Sequence, residues 1–246
     1  MSNPRRILVV GGVAGGASAA TKARRTDERA EIVIFEKGPY VSFANCGLPY
    51  YVGGVIERLD DLLLMTPERF QARFRIQVRL HHEVVRIDRD LGRVEVTDLR
   101  TGESRWEHYD RLILSPGGSP VLPPIPGADL DGISTLTTVP HAERLRGLAR
   151  RAGVRQAAVI GGGFIGLEAL EALLKLGLEV HLVEMAPQVL PPMDEEMAAL
   201  VAAHLVEKGA ALHLGARAVR FLGEKQVEGI ELADGTTIPA QVVVLA

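Results

Sequence analysis

Short apolar runs that end at glycine or an acid, each followed by residues at helical spacing, set the pattern of this chain. Ile7 to Val10 runs into glycines, and the small residues from about Ala14 to Arg25 read as a helix. Ile32 to Phe35 reads as a second strand that ends in Glu36. Behind the start signal Thr66-Pro67, Glu68 to Phe74 predicts a helix. From Ile76 to Leu114 the pattern turns β-like, as in Arg93-Val94-Glu95-Val96-Thr97, with a turn at Thr101-Gly102. Ser119 to Gly132 holds Pro120, Pro123, Pro124 and Pro126, which marks a connection.

The second half repeats the opening. A helix is expected from about Pro140 to Arg151, and Ala157 to Ile160 is again a strand entering glycines. Met197, Leu200, Val201, His204 and Leu205 fall at helical spacing, with Asp194 as N-cap and Gly209 as the stop. The two glycine turns lie 150 residues apart, which indicates a duplicated unit and not a short repeat array. The chain ends in Gln241-Val242-Val243-Val244-Leu245-Ala246. A buried parallel strand is an unusual C-terminus, so the expectation is a truncated chain.

Gly161-Gly162-Gly163-Phe164-Ile165-Gly166 matches G-x-G-x-x-G between a strand and the helix around Leu167 to Leu176. Glu184 closes the next strand 18 residues after Gly166. The first glycine permits the tight turn, the second lets backbone approach a pyrophosphate, and the third lets helix and strand pack. The helix N-terminus then offers free N–H groups to phosphate. The first turn, Gly11-Gly12-Val13-Ala14-Gly15-Gly16, departs from the rule, with Val13 at the middle glycine, yet Glu36 stands 20 residues after Gly16. Glu36 is placed to accept from a ribose hydroxyl. The fold class is therefore α/β with two doubly wound nucleotide-binding domains, 1–118 and 119–246. Tyr109 to Gly117 adds a strand running into the turn Ser115-Pro116-Gly117.

Composition narrows the chemistry. With 47% hydrophobic and 24% charged residues and a net charge of −3, no basic surface calls for nucleic acid or an acidic membrane. No apolar run is long enough to span a bilayer. Cys46 is the only cysteine, which fits a reducing compartment, and the expected location is the cytoplasm. Flanked by two nucleotide turns, Cys46 reads as a redox thiol with no resolving partner. Its sulfur must cycle through a sulfenic acid or a mixed disulfide with a small thiol. Gly47 to Tyr51 is a candidate helix whose N-terminal dipole would favour the thiolate. No metal site is expected, since His81 and His82 on a strand would face opposite ways.

The two turns, the Leu112-to-Gly117 segment and Ser42-Phe43-Ala44-Asn45-Cys46-Gly47-Leu48-Pro49-Tyr50 together resemble the pyridine nucleotide–disulfide oxidoreductases. Within them the cysteine segment resembles the single-cysteine branch of coenzyme A-disulfide reductases and NADH-dependent persulfide reductases. The resemblance implies FAD on the first turn, NADH (with NADPH possible) on the second, and coenzyme A as ligand or mixed-disulfide partner. It implies that Cys46 is the nucleophile and that Ser42 and Asn45 lie against the thiol ligand. Ser18, Lys22 and Arg25 on the first helix match positions used for coenzyme A. Gly11 to Gly16, Glu36 and Lys37 match FAD contacts, and Ser115, Pro116 and Gly117 match the turn beside the flavin ring. On the second turn it implies contacts from Gly161, Gly163, Phe164, Ile165, Gly166 and Glu184, with Phe164 as an aromatic gate and Glu168 as a buried acid beside the nicotinamide.

Two departures shape the expected function. Single-cysteine NADH oxidases and peroxidases carry a histidine in the first glycine loop, where this chain has Ala14. That argues for a disulfide or persulfide acceptor. The family also continues into a further FAD segment and a dimerisation domain, so a homodimer is expected of the full-length enzyme. The alternatives are a single-cysteine NADH oxidase or peroxidase, and a nucleotide-binding fragment without turnover.

Overall fold

The protein is described over residues 4–246 from a computed structural model. Its first elements in chain order are β1 (Arg6–Val10), α1 (Gly15–Thr26), β2 (Glu31–Glu36) and the short helix α2 (Leu48–Val52). They are followed by α3 (Pro67–Phe74), β3 (Ile76–Leu80), β4 (His82–Asp88), β5 (Arg93–Asp98), β6 (Ser104–His108) and β7 (Arg111–Leu114). The chain divides into two compact units: residues up to Ala44 with Leu63–Gly118, and Asn45–Leu62 with Ser119–Ala246. The cysteine segment, which the sequence reading put within 1–118, thus groups with the second unit. Phe43 and Leu63 form an antiparallel bridge where the chain leaves and re-enters the first.

In the first unit β3-β2-β1-β7 form one parallel sheet, and β4-β5-β6 an antiparallel one. Strand alternation sends Ile7, Val9, Ile32 and Ile34 to a core with Ala17, Ala20 and Phe70 on the helix side. Leu8, Val33 and Phe35 point the other way, onto Val94 and Val96 of the antiparallel sheet. Burial on both faces is why these strands read as unbroken apolar runs. Each fully buried Phe or Ile contributes roughly 1.5–3 kcal/mol. Thr66 caps α3 by accepting from the Arg69 N–H at 3.3 Å, as its start signal predicts. Arg24 is buried and donates to the carbonyls of Asp27, Glu28, Phe74 and Arg75, tying the ends of α1 and α3 together.

The second unit adds β8 (Ile133–Thr135), α4 (Val139–Ala149), β9 (Gln156–Ile160), α5 (Phe164–Lys175), β10 (Glu179–Glu184) and α6 (Glu195–Glu207). It closes with β11 (Ala211–Leu214), β12 (Ala218–Leu222), β13 (Gly229–Leu232), β14 (Thr237–Pro239) and β15 (Val242–Leu245). The parallel sheet runs β11-β10-β9-β15-β8, and β12-β13-β14 form an antiparallel sheet. Ala158, Val183, Val243 and Leu245 meet Phe221, Ile230 and Ile238 between the two sheets. Each unit is therefore helices, parallel sheet, antiparallel sheet, and the glycine turns belong to two separate sheets.

Two local expectations need correction. His81 is not in a strand: it takes a left-handed φ of 58° at the turn between β3 and β4. On α6 the spaced residues Met197, Leu200 and His204 are exposed and of that stripe Leu205 alone is buried, so the helix is present but most of its spaced stripe lies off the buried face. Asp194 occupies the N-cap position without a side-chain capping bond.

Two histidines join β10 to β11, His181 Nδ1 lying 3.0 Å from His213 Nε2 with the rings stacked. Burial holds both below the usual 6.5, and the neighbouring His213 lowers His181 further. His141, held by the Thr135 and Thr137 hydroxyls, is lowered by burial too. A histidine whose folded pKa is depressed contributes stability that is complete above its unfolded value and lost as pH falls through the folded one. The melting temperature should therefore fall as pH drops below the unfolded histidine value of about 6.5, before most carboxylates titrate. His181→Gln should flatten that slope, and an equally steep profile in the variant would contradict the assignment.

Candidate functional site

Both glycine turns sit at the carboxyl ends of parallel strands, where ligands bind in open α/β sheets. In the first, Gly11 has φ +86°, and a Cβ there would lie 2.0 Å from the Ser115 carbonyl oxygen. A Cβ on Gly12 would meet Val41 at 2.7 Å, and one on Gly16 would lie 1.8 Å from the Gly11 oxygen. Buried Glu36 braces the turn, Oε2 accepting from the Gly12 N–H and Oε1 from the Gly38 N–H, each at 2.8 Å. A carboxylate has about four acceptor sites, so two backbone donors leave capacity for a hydroxyl.

The second turn repeats this bond for bond. Gly161 has φ +109°, and a Cβ on Gly166 would lie 1.9 Å from the Gly161 oxygen. Glu184 Oε2 accepts from the Gly162 N–H at 2.6 Å and Oε1 from the Ala186 N–H at 2.7 Å. Neither α1 nor α5 has a side-chain cap or an acid in its first turn, so both helix N-termini keep their N–H groups and dipole for an anion. Around Gly163 a Cβ would meet nothing within 4 Å, which leaves room beside the turn. These features fit a dinucleotide on each turn.

One shared device left no mark in the sequence. Ser42 and Leu190 take left-handed φ of 49° and 48°. Their N–H groups donate to the Gly12 and Gly162 carbonyls at 2.9 and 2.7 Å. Neither is glycine or asparagine, so nothing flagged the conformation.

The remaining expected residues fall in several places. Val13 is partly buried, while Ala14, Gly15 and Lys37 are exposed; the Ser115 hydroxyl would lie 3.0 Å from a Cβ on Gly15. Pro116 and Gly117 are exposed after β7. Phe164 and Ile165 open α5 with their side chains in solvent, Phe164 being 66% exposed. Ser18, Lys22 and Arg25 are exposed, and their spacing puts them on one stripe of α1. Glu168, expected as a buried acid, is instead exposed on α5. Asn45 and Cys46 are exposed in a single turn that leads directly into α2, whereas Ser42 is buried in the first unit. Among the described residues no group of three or more His, Cys, Asp and Glu could hold a metal ion, and no helix is long and apolar enough to cross a membrane.

Comparison with known proteins adds a common theme. The family model described as pyridine nucleotide-disulphide oxidoreductase matches residues 5–246. A coenzyme A disulfide reductase of Staphylococcus haemolyticus is 41% identical over 194 residues, covering 78% of this chain and 43% of its own. An NADH oxidase of Methanocaldococcus jannaschii is 31% identical over 242 residues, covering 98% and 54%. The solved NAD-dependent persulfide reductase from A. fulgidus superposes with a TM-score of 0.94 at 38% identity, covering 98% and 45%. The chain spans about half the length of the curated relatives it matches.

The geometry of the turns makes a direct prediction. Gly16→Ala and Gly166→Ala each force a Cβ against a carbonyl oxygen less than 2 Å away. Each should cost about 2–3 kcal/mol, an overpacking effect with backbone as the unyielding partner. Urea unfolding checks it, and wild-type midpoints would refute the close approach.

Proposed function

The chain belongs to the pyridine nucleotide-disulphide oxidoreductases, and from that premise we propose that it is the nucleotide-binding portion of a flavoenzyme that reduces coenzyme A disulfide or a small-thiol persulfide. The observation that carries the reading is one exposed thiol, Cys46, in a chain holding two acid-braced glycine turns. In this reading the first unit holds FAD on Gly11 to Gly16 and Glu36, and the second holds NAD(H) on Gly161 to Gly166 and Glu184. Bound FAD and NAD(P)H supply a two-electron reducing equivalent.

The rest is the work of the chain's own residues. The Cys46 thiolate attacks one sulfur of the disulfide, a mixed disulfide forms, and one small thiolate leaves. Two-electron reduction breaks that mixed bond, releases the second thiol and returns Cys46 as a thiolate. The balance is one NAD(P)H and one proton consumed per two thiols formed. With no second cysteine, the resting oxidised form is Cys46 joined to coenzyme A or another small thiol. Ser18, Lys22 and Arg25 offer two cations and a hydroxyl along α1 for the ligand's phosphates. Ala14 opens α1 without an imidazole, which supports a sulfur acceptor over oxygen or peroxide.

Two outcomes are expected. Cys46→Ser in the full-length enzyme should leave FAD bound and reducible by NADH while abolishing disulfide and persulfide reduction. Substantial disulfide reduction by the variant would remove the sulfur from the electron path. NADH should also bind more tightly than NADPH, because Glu184 is fixed by two backbone donors and Met185 to Gln188 contain no cation. A carboxylate about 4 Å from a 2′-phosphate costs on the order of 4 kcal/mol at an effective dielectric near 20, or up to ~10³ in affinity. Equal dissociation constants in a fluorescence titration would rule this preference out.

A further inference from the structure

Helix α2, which begins two residues after Cys46, packs on α4 and α5 of the second unit. Gly53 ends it where a Cβ would lie 3.2 Å from Ala172 Cα, so its backbone rests close on α5. The ring of Tyr51 is buried beneath the guanidinium of Arg146, which lies 4.3 Å from the ring centroid. The same guanidinium donates from Nη1 to the Glu57 carbonyl oxygen at 3.0 Å. Among the described residues no carboxylate pairs with Arg146, so its charge is directed at a ring and a backbone carbonyl on either side of one turn.

A five-residue helix is not stable alone, so its orientation comes from what it packs against. Its first turn follows the cysteine without an intervening loop. We propose that Arg146 is a positioning residue for Cys46: by holding Tyr51 and the Glu57 carbonyl together on α4, it fixes the helix that aims the thiol at its disulfide. This rests on the reading of Cys46 as the attacking sulfur. Arg146 touches neither sulfur nor substrate in this role; it acts through α2.

The test uses the full-length, FAD-loaded protein and the variants Arg146→Ala, Arg146→Lys, Tyr51→Phe and Tyr51→Leu. Arg146→Ala should lower kcat for disulfide reduction roughly tenfold, the scale of a small misplacement of a reacting group. FAD content, the rate of flavin reduction by NADH and the KM for NADH should stay at wild-type values. The rate of Cys46 alkylation by iodoacetamide should change about threefold or more, a readout independent of turnover. Arg146→Lys should recover part of both effects, since an ammonium also sits over a ring face. Tyr51→Phe should match wild type and Tyr51→Leu should resemble Arg146→Ala, with the double replacement no worse than either alone. Wild-type alkylation and kcat in both Arg146→Ala and Tyr51→Leu would overturn the proposal, as would an equal loss in flavin reduction by NADH. Cys46→Ser separates the two claims. If it keeps disulfide reduction, the thiol reading fails and this proposal with it. If it is inactive while Arg146→Ala is normal, only the positioning role fails.

Discussion

A carboxylate at the end of a parallel strand, accepting from the backbone N–H of the second glycine in the adjacent loop, is the bond on which each unit depends. Glu36 does this for Gly12 and Glu184 for Gly162, and in each case the second oxygen takes a further N–H just beyond the strand. Charge-assisted bonds of this kind are roughly twice as strong as neutral ones. They draw the loop onto the strand end, where a Cβ on Gly12 would meet Val41 at 2.7 Å and one on Gly162 would meet Glu184 at 3.2 Å. With the loop so placed, no side chain among the described residues caps the first N–H groups of α1 or α5. Neither loop contains a basic side chain, so the proposed anion sites rest on backbone N–H groups.

The same solution is used twice with little shared sequence. Both units stack helices, a parallel sheet and a three-stranded antiparallel sheet. In both, a residue with positive φ returns its N–H to the second loop glycine's carbonyl, although one is serine and the other leucine. The units differ where chemistry enters. The second has a fifth parallel strand, β8, and takes in residues 45–62 with the thiol. Its helix α5 therefore carries a glycine turn at its start and packs along its side against α2, the helix that follows Cys46.

Much of this was legible because burial on both faces of a parallel strand leaves an unbroken apolar run, and because glycines and a terminal acid bracket each run. β1, β2, β9, β10 and the terminal β15 could be read from those marks alone, and α3 from Thr66-Pro67. What escaped the sequence depends on distant partners. Residues 45–62 interrupt the first unit in sequence but pack with the second through Gly53 on Ala172 and Arg146 on Tyr51, residues about a hundred positions away. Glu168, which the resemblance implied would be buried, is exposed, and so are Met197 and Leu200 on α6, because helical periodicity fixes which residues share a face but not what covers it.

The central claim is that one acid-braced turn serves two different dinucleotides. Native mass spectrometry of the full-length protein tests it by counting bound FAD and NADH in Glu36→Ala and Glu184→Ala. The account predicts a crossed result: Glu36→Ala loses FAD and keeps NADH, while Glu184→Ala keeps FAD and loses NADH. If each variant kept both ligands, or if removing Glu184 released FAD while NADH stayed bound, the assignment of the two turns would be wrong.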